Sequence, residues 1–164
     1  MQLINNKWMI ALTFLVLVLV VLYFTGRKSV HHEIVINASA QKVWEVLINT
    51  SEYDSWNPVM RLVEGEVKEG SRVKYRFTQA KDRVSEIPAK VKKIIPQRLL
   101  NQAGGLPFIL TFDHRYELIS MGNKTKVVIH EDYAGIGVNF WSPQPVEAAY
   151  ARLNQALKKK VESN

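Results

Sequence analysis

Apolar and polar residues alternate over much of the chain, and this alternation predicts a protein built largely from β-strands. The clearest segment runs from Phe108 to Leu118, where even-numbered positions are apolar or histidine while Thr111 to Glu117 are polar at odd positions. A period of two residues is typical of a strand with one face on the core. Similar patterns predict strands over these ranges: 34–36, 60–67, 71–79, 84–95, 98–103 and 125–133.

Helical spacing replaces the alternation in two places. Ser39 stands where the N-cap of a short helix is expected. The apolar residues after it recur at helical spacing: Val43, Trp44, Leu47 and Ile48. A second short helix or turn ends at Pro58, because proline interrupts regular structure. Gln144 and Pro145 open a long C-terminal helix. Its apolar stripe predicts the buried face: Val146, Ala149, Tyr150, Leu153, Leu157 and Val161.

The order of these elements is one strand, two short helices, a run of strands and a long helix. This order predicts an α+β fold in which the helix packs on one antiparallel sheet. With the turn of the last hairpin placed near Met121 and Gly122, Phe112 lies opposite Glu131 and His114 lies opposite Ile129. His114 and Glu131 are then diagonal neighbours on the inner face, about 7–8 Å apart between backbones.

The N-terminal part of the chain follows neither pattern. The segment from Trp8 to Phe24 has no charged residue, and about 17 helical residues cover roughly 25 Å. Interfacial aromatics and basic residues flank it, so it predicts a transmembrane helix over about 8–24 within an anchor of residues 1–28. Residues 29–164 then form the soluble domain. A cleaved signal peptide would have a shorter apolar run and a small-residue cleavage site, and a buried core helix is the other alternative.

Charge and composition narrow the partners and the compartment. The formal net charge is +7, and setting aside Lys7, Arg27 and Lys28 leaves 19 basic residues against 15 acidic ones. These charges are spread along the strands rather than clustered, so no nucleic-acid partner is expected. The prediction is a single-pass protein of the cell or inner membrane. Two basic residues after the apolar run against one before it favour a cytoplasmic domain, although the α-amine cancels that difference.

Five short motifs in the soluble part carry a family resemblance. They are the strand and helix start of Glu33–Leu47, Trp56-Asn57-Pro58, the Phe112–Leu118 strand, Glu131–Gly135 and Asn154–Lys158. In this order, over roughly 33–162, they resemble the START-like (SRPBCC) superfamily of polyketide cyclases and lipid-transfer proteins. The resemblance implies a helix-grip fold, a curved antiparallel sheet around a long C-terminal helix with a cavity between them. It also implies a hydrophobic small-molecule ligand such as a lipid, a polyketide or a quinone-like compound.

The candidate site residues are those that strand alternation or the stripe of the C-terminal helix places on the inner face, together with Trp56 of the Trp-Asn-Pro motif. They are Trp56, Tyr75, Phe77, Leu110, Phe112, His114, Tyr116, Glu131, Tyr133, Tyr150 and Leu153. His114 and Glu131 are the strongly polar members of the final hairpin. A carboxylate beside an imidazole suits general acid–base catalysis, but it also suits a buried polar pair that orients a ligand or satisfies itself.

Three functions follow from these features. The first is membrane-anchored binding or transfer of a hydrophobic small molecule, with membrane lipid as a further partner. The second is a polyketide cyclase or dehydratase that uses His114 and Glu131. The third is a membrane-tethered interaction module with a filled core. No metal site or cofactor is expected, because the sequence lacks metal-ligand spacing, a glycine-rich phosphate loop and any cysteine. The sequence leaves the oligomeric state and the ligand open.

Overall fold

Seven antiparallel strands curl around one long helix in the computed structural model, which describes residues 2–163 and side chains 6–163. The helices are α1 (Gln2–Thr25), α2 (Ala40–Ile48), α3 (Tyr53–Trp56) and α4 (Gln144–Glu162). The strands are β1 (Arg27–Ile36), β2 (Met60–Glu64), β3 (Arg72–Ala80), β4 (Arg83–Ile95), β5 (Leu99–Leu106), β6 (Leu110–Met121) and β7 (Lys124–Ala134). Two 3-10 helices span Thr50–Glu52 and Ile136–Phe140. The strand order is β1-β7-β6-β5-β4-β3-β2, which confirms the predicted α+β helix-grip architecture.

The core lies between the concave face of the sheet and α4. All six residues of the predicted stripe on α4 are buried, and Leu153, Leu157 and Val161 have no exposed surface. Full burial of such a side chain contributes about 1.5–3 kcal/mol, so the stripe is sufficient to hold α4 on the sheet. α2 begins as predicted, because the Ser39 hydroxyl accepts a hydrogen bond from the Lys42 amide at 3.4 Å. Its buried residues are Val43, Trp44 and Leu47.

Several strand ends differ from the prediction. β1 is longer than expected, since it starts at Arg27 and pairs along its length with β7. β2 ends at Glu64 because Gly65 takes a φ of 84°, which a strand cannot continue. β6 starts at Leu110, since Phe108 lies in the preceding turn with a φ of 66° and is 69% exposed. Phe108 is therefore not an inner-face residue.

The glycine pair after Ala103 does not end β5, which continues to Leu106. A Cβ on Gly104 would lie 2.4 Å from the Pro88 carbonyl oxygen and 2.7 Å from the Phe112 ring. This glycine permits a close approach within the sheet, whereas the sequence interpretation treated it as a turn signal.

The register of the last hairpin was predicted wrongly by two residues. Met121 pairs with Lys124, so the turn consists of Gly122 and Asn123. Gly122 supplies the left-handed backbone that a two-residue turn needs, with a φ of 74°. His114 consequently lies opposite Glu131, and Phe112 lies opposite Tyr133, rather than Ile129 and Glu131. The polar pair is thus a direct cross-strand pair.

α1 extends away from the domain. Its segment Asn6–Thr25 is long and apolar enough to cross a membrane, and none of its most apolar window is buried. It is therefore not a core helix, and its length and position suit a membrane span or a signal sequence. Only Gly26 separates α1 from β1. The boundary after Lys28 stays a prediction, and β1 begins two residues before it.

The contact between β1 and α4 includes a histidine, His32, so we expect it to depend on pH. Asn154 of α4 is fully buried, and its side-chain amide lies 2.9 Å from His32 Nδ1. Burial lowers the pKa of His32, the neighbouring His31 lowers it further, and Glu147 and Glu33 oppose the shift. Because the unfolded chain binds the proton more readily, stability should fall as the pH drops below about 6.5.

We expect the melting temperature to fall between pH 8 and pH 5.5, and to fall less in a His32→Asn variant. Thermal unfolding followed by near-ultraviolet circular dichroism at the two pH values measures this difference. His31→Gln keeps the His32–Asn154 contact and should retain most of the pH dependence, because burial lowers the pKa of His32 more than His31 does. An equal pH dependence in His32→Asn and the unchanged protein would contradict the assignment.

Candidate ligand-binding site

A cavity of about 320 Å³ lies between the sheet and the first half of α4. Strands β2 to β7 contribute to its wall, and α4 closes it from the other side. Its wall is mainly apolar and aromatic, as in sites for small organic molecules. Eight of the eleven predicted site residues line it: Tyr75, Phe77, Leu110, Phe112, His114, Glu131, Tyr133 and Tyr150.

The other three predicted residues lie outside this wall. Leu153 has no exposed surface and belongs to the core under α4. Tyr116 is buried, and its ring packs edge-on against His114 with 4.8 Å between ring centroids. Trp56 is partly buried against Tyr53, with 5.1 Å between their ring centroids. Tyr116 therefore supports a cavity residue from behind.

Further lining residues were missed by the sequence analysis. They are Met60, Gln79, Ser85, Glu86, Ile87, Pro88, Ala89, Gln102, Gly105, Trp141 and Val146. Alternation along β4 does place Ile87 and Ala89 on one face, but neither residue was named as a candidate for the site. Trp141 follows a 3-10 helix, where no period of two or 3.6 residues exists to indicate its direction. Ser85, Glu86 and Pro88 are exposed, so the cavity opens to solvent beside β4.

A buried polar cluster forms one wall of the cavity. The cross-strand pair of β6 and β7 brings His114 opposite Glu131, and Tyr133 follows two residues later on the same face. Tyr133 donates its hydroxyl proton to Glu131 Oε2 at 2.6 Å, and Tyr150 of α4 donates to the same oxygen. His114 Nδ1 lies 3.2 Å from the Tyr150 hydroxyl and 3.7 Å from Glu131 Oε2. We call these four residues the polar cluster.

Water hardly reaches this cluster, since His114 is 3% exposed and Glu131 is 5% exposed. Burial, together with the nearby Glu131 carboxyl group, raises the pKa of both Tyr133 and Tyr150. Both phenols therefore keep their protons across the physiological range and act as hydrogen-bond donors to Glu131. A buried carboxyl group with two such donors is well satisfied.

One ring nitrogen of His114 has no hydrogen-bond partner within the described part of the chain. Because the single proton of Tyr150 goes to Glu131, the Tyr150 oxygen is the acceptor for His114 Nδ1–H. In the neutral imidazole, Nε2 then carries a lone pair and no proton. This Nε2 is buried and has no partner among the described side chains and backbone. A buried ring nitrogen without a partner calls for one from outside the chain, and a ligand hydroxyl group can serve because it both donates and accepts.

A second polar pair lies in the same wall. Gln102 of β5 donates its side-chain amide to the Tyr75 hydroxyl at 2.7 Å. Burial raises the pKa of Tyr75 to about 12, so its hydroxyl also stays protonated at neutral pH. The remaining wall offers few polar contacts. Within residues 2–163, no group of three or more histidine, aspartate or glutamate side chains is arranged to hold a metal ion.

Solved structures share this fold at low sequence identity. The Zhui aromatase/cyclase from Streptomyces sp. R1128 matches with a TM-score of 0.65 and 18% identity, over 83% of this chain and 94% of that one. Protein CV1439 from Chromobacterium violaceum gives a TM-score of 0.68 and 13% identity, over 82% and 96%. Norcoclaurine synthase from Thalictrum flavum, in complex with dopamine and hydroxybenzaldehyde, gives 0.61 and 18%, over 84% and 88%. At such identities the likeness establishes the fold alone.

No curated protein matches the chain at a significant level. The sequence model of one protein family, however, matches residues 27–162, which is nearly all of the chain after α1. Its range begins at the first residue of β1 and ends at the last residue of α4. The chain belongs to the polyketide cyclase / dehydrase and lipid transport family.

Proposed function

We propose that this protein binds an amphipathic small molecule in the 320 Å³ cavity and that α1 anchors the domain to a membrane. The observation that carries the proposal is an apolar, aromatic cavity wall that holds one unpaired polar atom, His114 Nε2. An apolar ligand body would be stabilised by about 25 cal/mol per Å² of buried surface, and one hydrogen bond would fix its orientation.

The hydrogen bonds within the polar cluster limit which ligand groups can bind beside His114. His114 Nε2 is buried and unpartnered among the described residues, so the ligand group that meets it should form a hydrogen bond, as a hydroxyl group does. The norcoclaurine synthase complex, whose ligands are dopamine and hydroxybenzaldehyde, is one case of hydroxyl-bearing ring compounds held by this fold. A lipid, polyketide or quinone-like compound with a hydroxyl group meets the same requirements.

Anchoring would place this cavity beside membrane lipid, which is a natural reservoir of apolar ligands. The charge count around α1 favours a domain on the cytoplasmic side of the cell or inner membrane by one side chain. We therefore propose two partners, a hydrophobic small-molecule ligand and membrane lipid.

Native mass spectrometry of the full chain, purified in detergent from its own host, tests ligand binding. We expect one co-purifying molecule of defined mass that lipid extraction also recovers. An empty cavity after purification, together with no binding of fatty acids or hydroxylated quinones, would contradict the proposal.

A cavity-filling variant locates the ligand within the chain. Leu110 lies in the cavity wall, so Leu110→Trp should fill part of the space and weaken binding at least tenfold. Ile119→Trp adds the same ring on the same strand at a position that is 45% exposed and outside the cavity, and it should bind as the unchanged protein does. Equal affinities in the two variants would place the ligand elsewhere.

A cyclase or dehydratase activity is the second candidate, and the free lone pair on His114 Nε2 favours it. That nitrogen could accept a substrate proton, while Tyr150 and Glu131 would stabilise the resulting imidazolium. His114→Gln should then abolish conversion of the identified ligand while binding stays within about threefold. Unchanged turnover in His114→Gln would exclude this mechanism. The third function, an interaction module with a filled core, is disfavoured by the cavity.

A further inference from the structure

Four large apolar side chains are exposed together at one end of the domain. Leu106, the last residue of β5, is 68% exposed, and Phe108 and Ile109 in the turn to β6 are 69% and 53% exposed. Phe140, at the end of the second 3-10 helix, is 78% exposed. We call these four residues the apolar rim. Such a concentration of exposed apolar surface marks a site of interaction with a protein or a membrane.

The residues of the apolar rim belong to two stretches of the sequence that contain no charged residue. Residues 99–112 and 133–146 contain no acidic or basic side chain, in a chain with 22 basic and 15 acidic residues. A surface that recognises a protein partner usually surrounds its apolar centre with a polar border. The low-dielectric interior of a bilayer excludes charge, and these stretches meet that requirement.

The rim is fixed beside the last turn of α1. The Asn139 side-chain amide donates to the Leu22 carbonyl oxygen at 2.7 Å, and the Thr25 hydroxyl donates to Asn139 Oδ1 at 3.0 Å. The Tyr23 ring packs on Phe108 with 5.8 Å between centroids. If α1 crosses a bilayer, this last turn lies at the interface, and the rim lies at the same level.

The rim also lies next to the opening beside β4, because Ala89 pairs with Gly104 and Pro88 therefore neighbours Gly105. The turn that carries Phe108 is flanked by Gly105 and Leu110, and both line the cavity. Phe140 directly precedes Trp141, which lines it as well. A surface in contact with the rim therefore lies beside the opening.

We propose that the apolar rim inserts into the interfacial region of the bilayer that α1 crosses, so that the cavity exchanges its ligand directly with the membrane. This inference rests on the proposed anchoring by α1. Three observations on the chain support it: the exposed rim, the absence of charge in the two stretches that carry it, and its contacts with the last turn of α1. The partner is a lipid surface, and a protein or a second copy of the chain would be the alternative occupants.

Fluorescent labels on single cysteines test this placement, because the chain has no cysteine of its own. The full chain is reconstituted into vesicles of phosphatidylcholine and phosphatidylglycerol that contain doxyl-labelled lipid. Phe108→Cys and Phe140→Cys place the label on two loops of the rim. Met121→Cys is the matched control. Met121 is 51% exposed and lies at the other end of β6. Eleven residues separate it from Leu110, which corresponds to about 36 Å along the strand. Leu15→Cys, within α1, reports anchoring independently.

We expect doxyl lipid to quench the labels at residues 15, 108 and 140 at least twice as strongly as the label at residue 121. Quenching at residue 15 without quenching at either rim position would overturn the rim proposal and leave the anchor intact. No quenching at any position would overturn both. Rim labels that are shielded from aqueous iodide but insensitive to doxyl lipid would identify a protein or a second copy as the occupant, which also overturns the proposal. Near-ultraviolet circular dichroism confirms that each variant is folded.

Discussion

Replacing Glu131 by alanine should lower the free energy of unfolding by about 3 kcal/mol, because it removes the shared acceptor of two buried phenols. Tyr133 and Tyr150 both donate to Glu131 Oε2, and each would keep a buried hydroxyl group without its present partner. Each unsatisfied group costs about 1–3 kcal/mol, and the lost side chain also leaves a void beside the cavity.

Thermal and denaturant unfolding of the full chain in detergent, followed by near-ultraviolet circular dichroism, measures this loss. Glu117→Ala is the matched control on the neighbouring strand, since the Glu117 side chain is 44% exposed and forms a surface ion pair with Arg115. Its effect should stay within about 0.5 kcal/mol. A loss below about 1 kcal/mol for Glu131→Ala would mean that the polar cluster contributes little to stability.

Replacing Gly135 by alanine should destabilise the protein by at least about 3 kcal/mol, since backbone strain and a steric clash act together. Gly135 has a φ of 130°, which a residue with a Cβ adopts only with strain. An added Cβ would also lie 2.5 Å from the Ile109 carbonyl oxygen and 2.7 Å from its carbonyl carbon. Because these are backbone atoms, the clash can be relieved only by a shift of the turn between β5 and β6, which carries part of the apolar rim.

Gly122→Ala separates the two causes. Gly122 has a φ of 74°, but nothing lies within 4 Å of the position of its Cβ. This variant should therefore lose only the strain contribution, about 1–2 kcal/mol. If the free energy of unfolding fell equally in Gly122→Ala and Gly135→Ala, the contact between the added Cβ at residue 135 and Ile109 would carry no measurable cost. In the Gly135→Ala variant, the label at residue 108 should also report a changed environment.

Much of the fold could be predicted from the sequence because its signals are periodic. The stripe on α4 and the alternation along β3 and β6 each repeat often enough to define a buried face. The same faces also supplied six of the eight predicted residues that line the cavity, since a curved sheet directs its inner positions toward one space. Trp56, Tyr116 and Leu153 show the limit of this reasoning. Periodicity identifies the inner face but does not separate its packed part from the part that borders the cavity.

Two other features needed the structure. The register of the last hairpin depends on which residue of the turn takes a positive φ. When the turn is shifted by one residue along the chain, the partner of every residue in the hairpin shifts by two. The prediction therefore made His114 and Glu131 diagonal neighbours, although they are direct partners. The apolar rim lies in short turns with no period at all. The sequence did carry a signal for it, two runs of fourteen uncharged residues, but their proximity follows from the tertiary fold.

The joint between α1 and β1 consists of Gly26 alone. One residue reaches about 3.5 Å, whereas a protein that ferries cargo between two membranes needs a long, flexible tether. Gly26 is also enclosed, since a Cβ there would lie 2.0 Å from the Gly135 carbonyl oxygen. With α1 in a bilayer, the domain therefore has no freedom to swing away. If α1 anchors the domain as proposed, the protein would bind and release its ligand at one place on the membrane, and transfer to a second membrane would need another molecule.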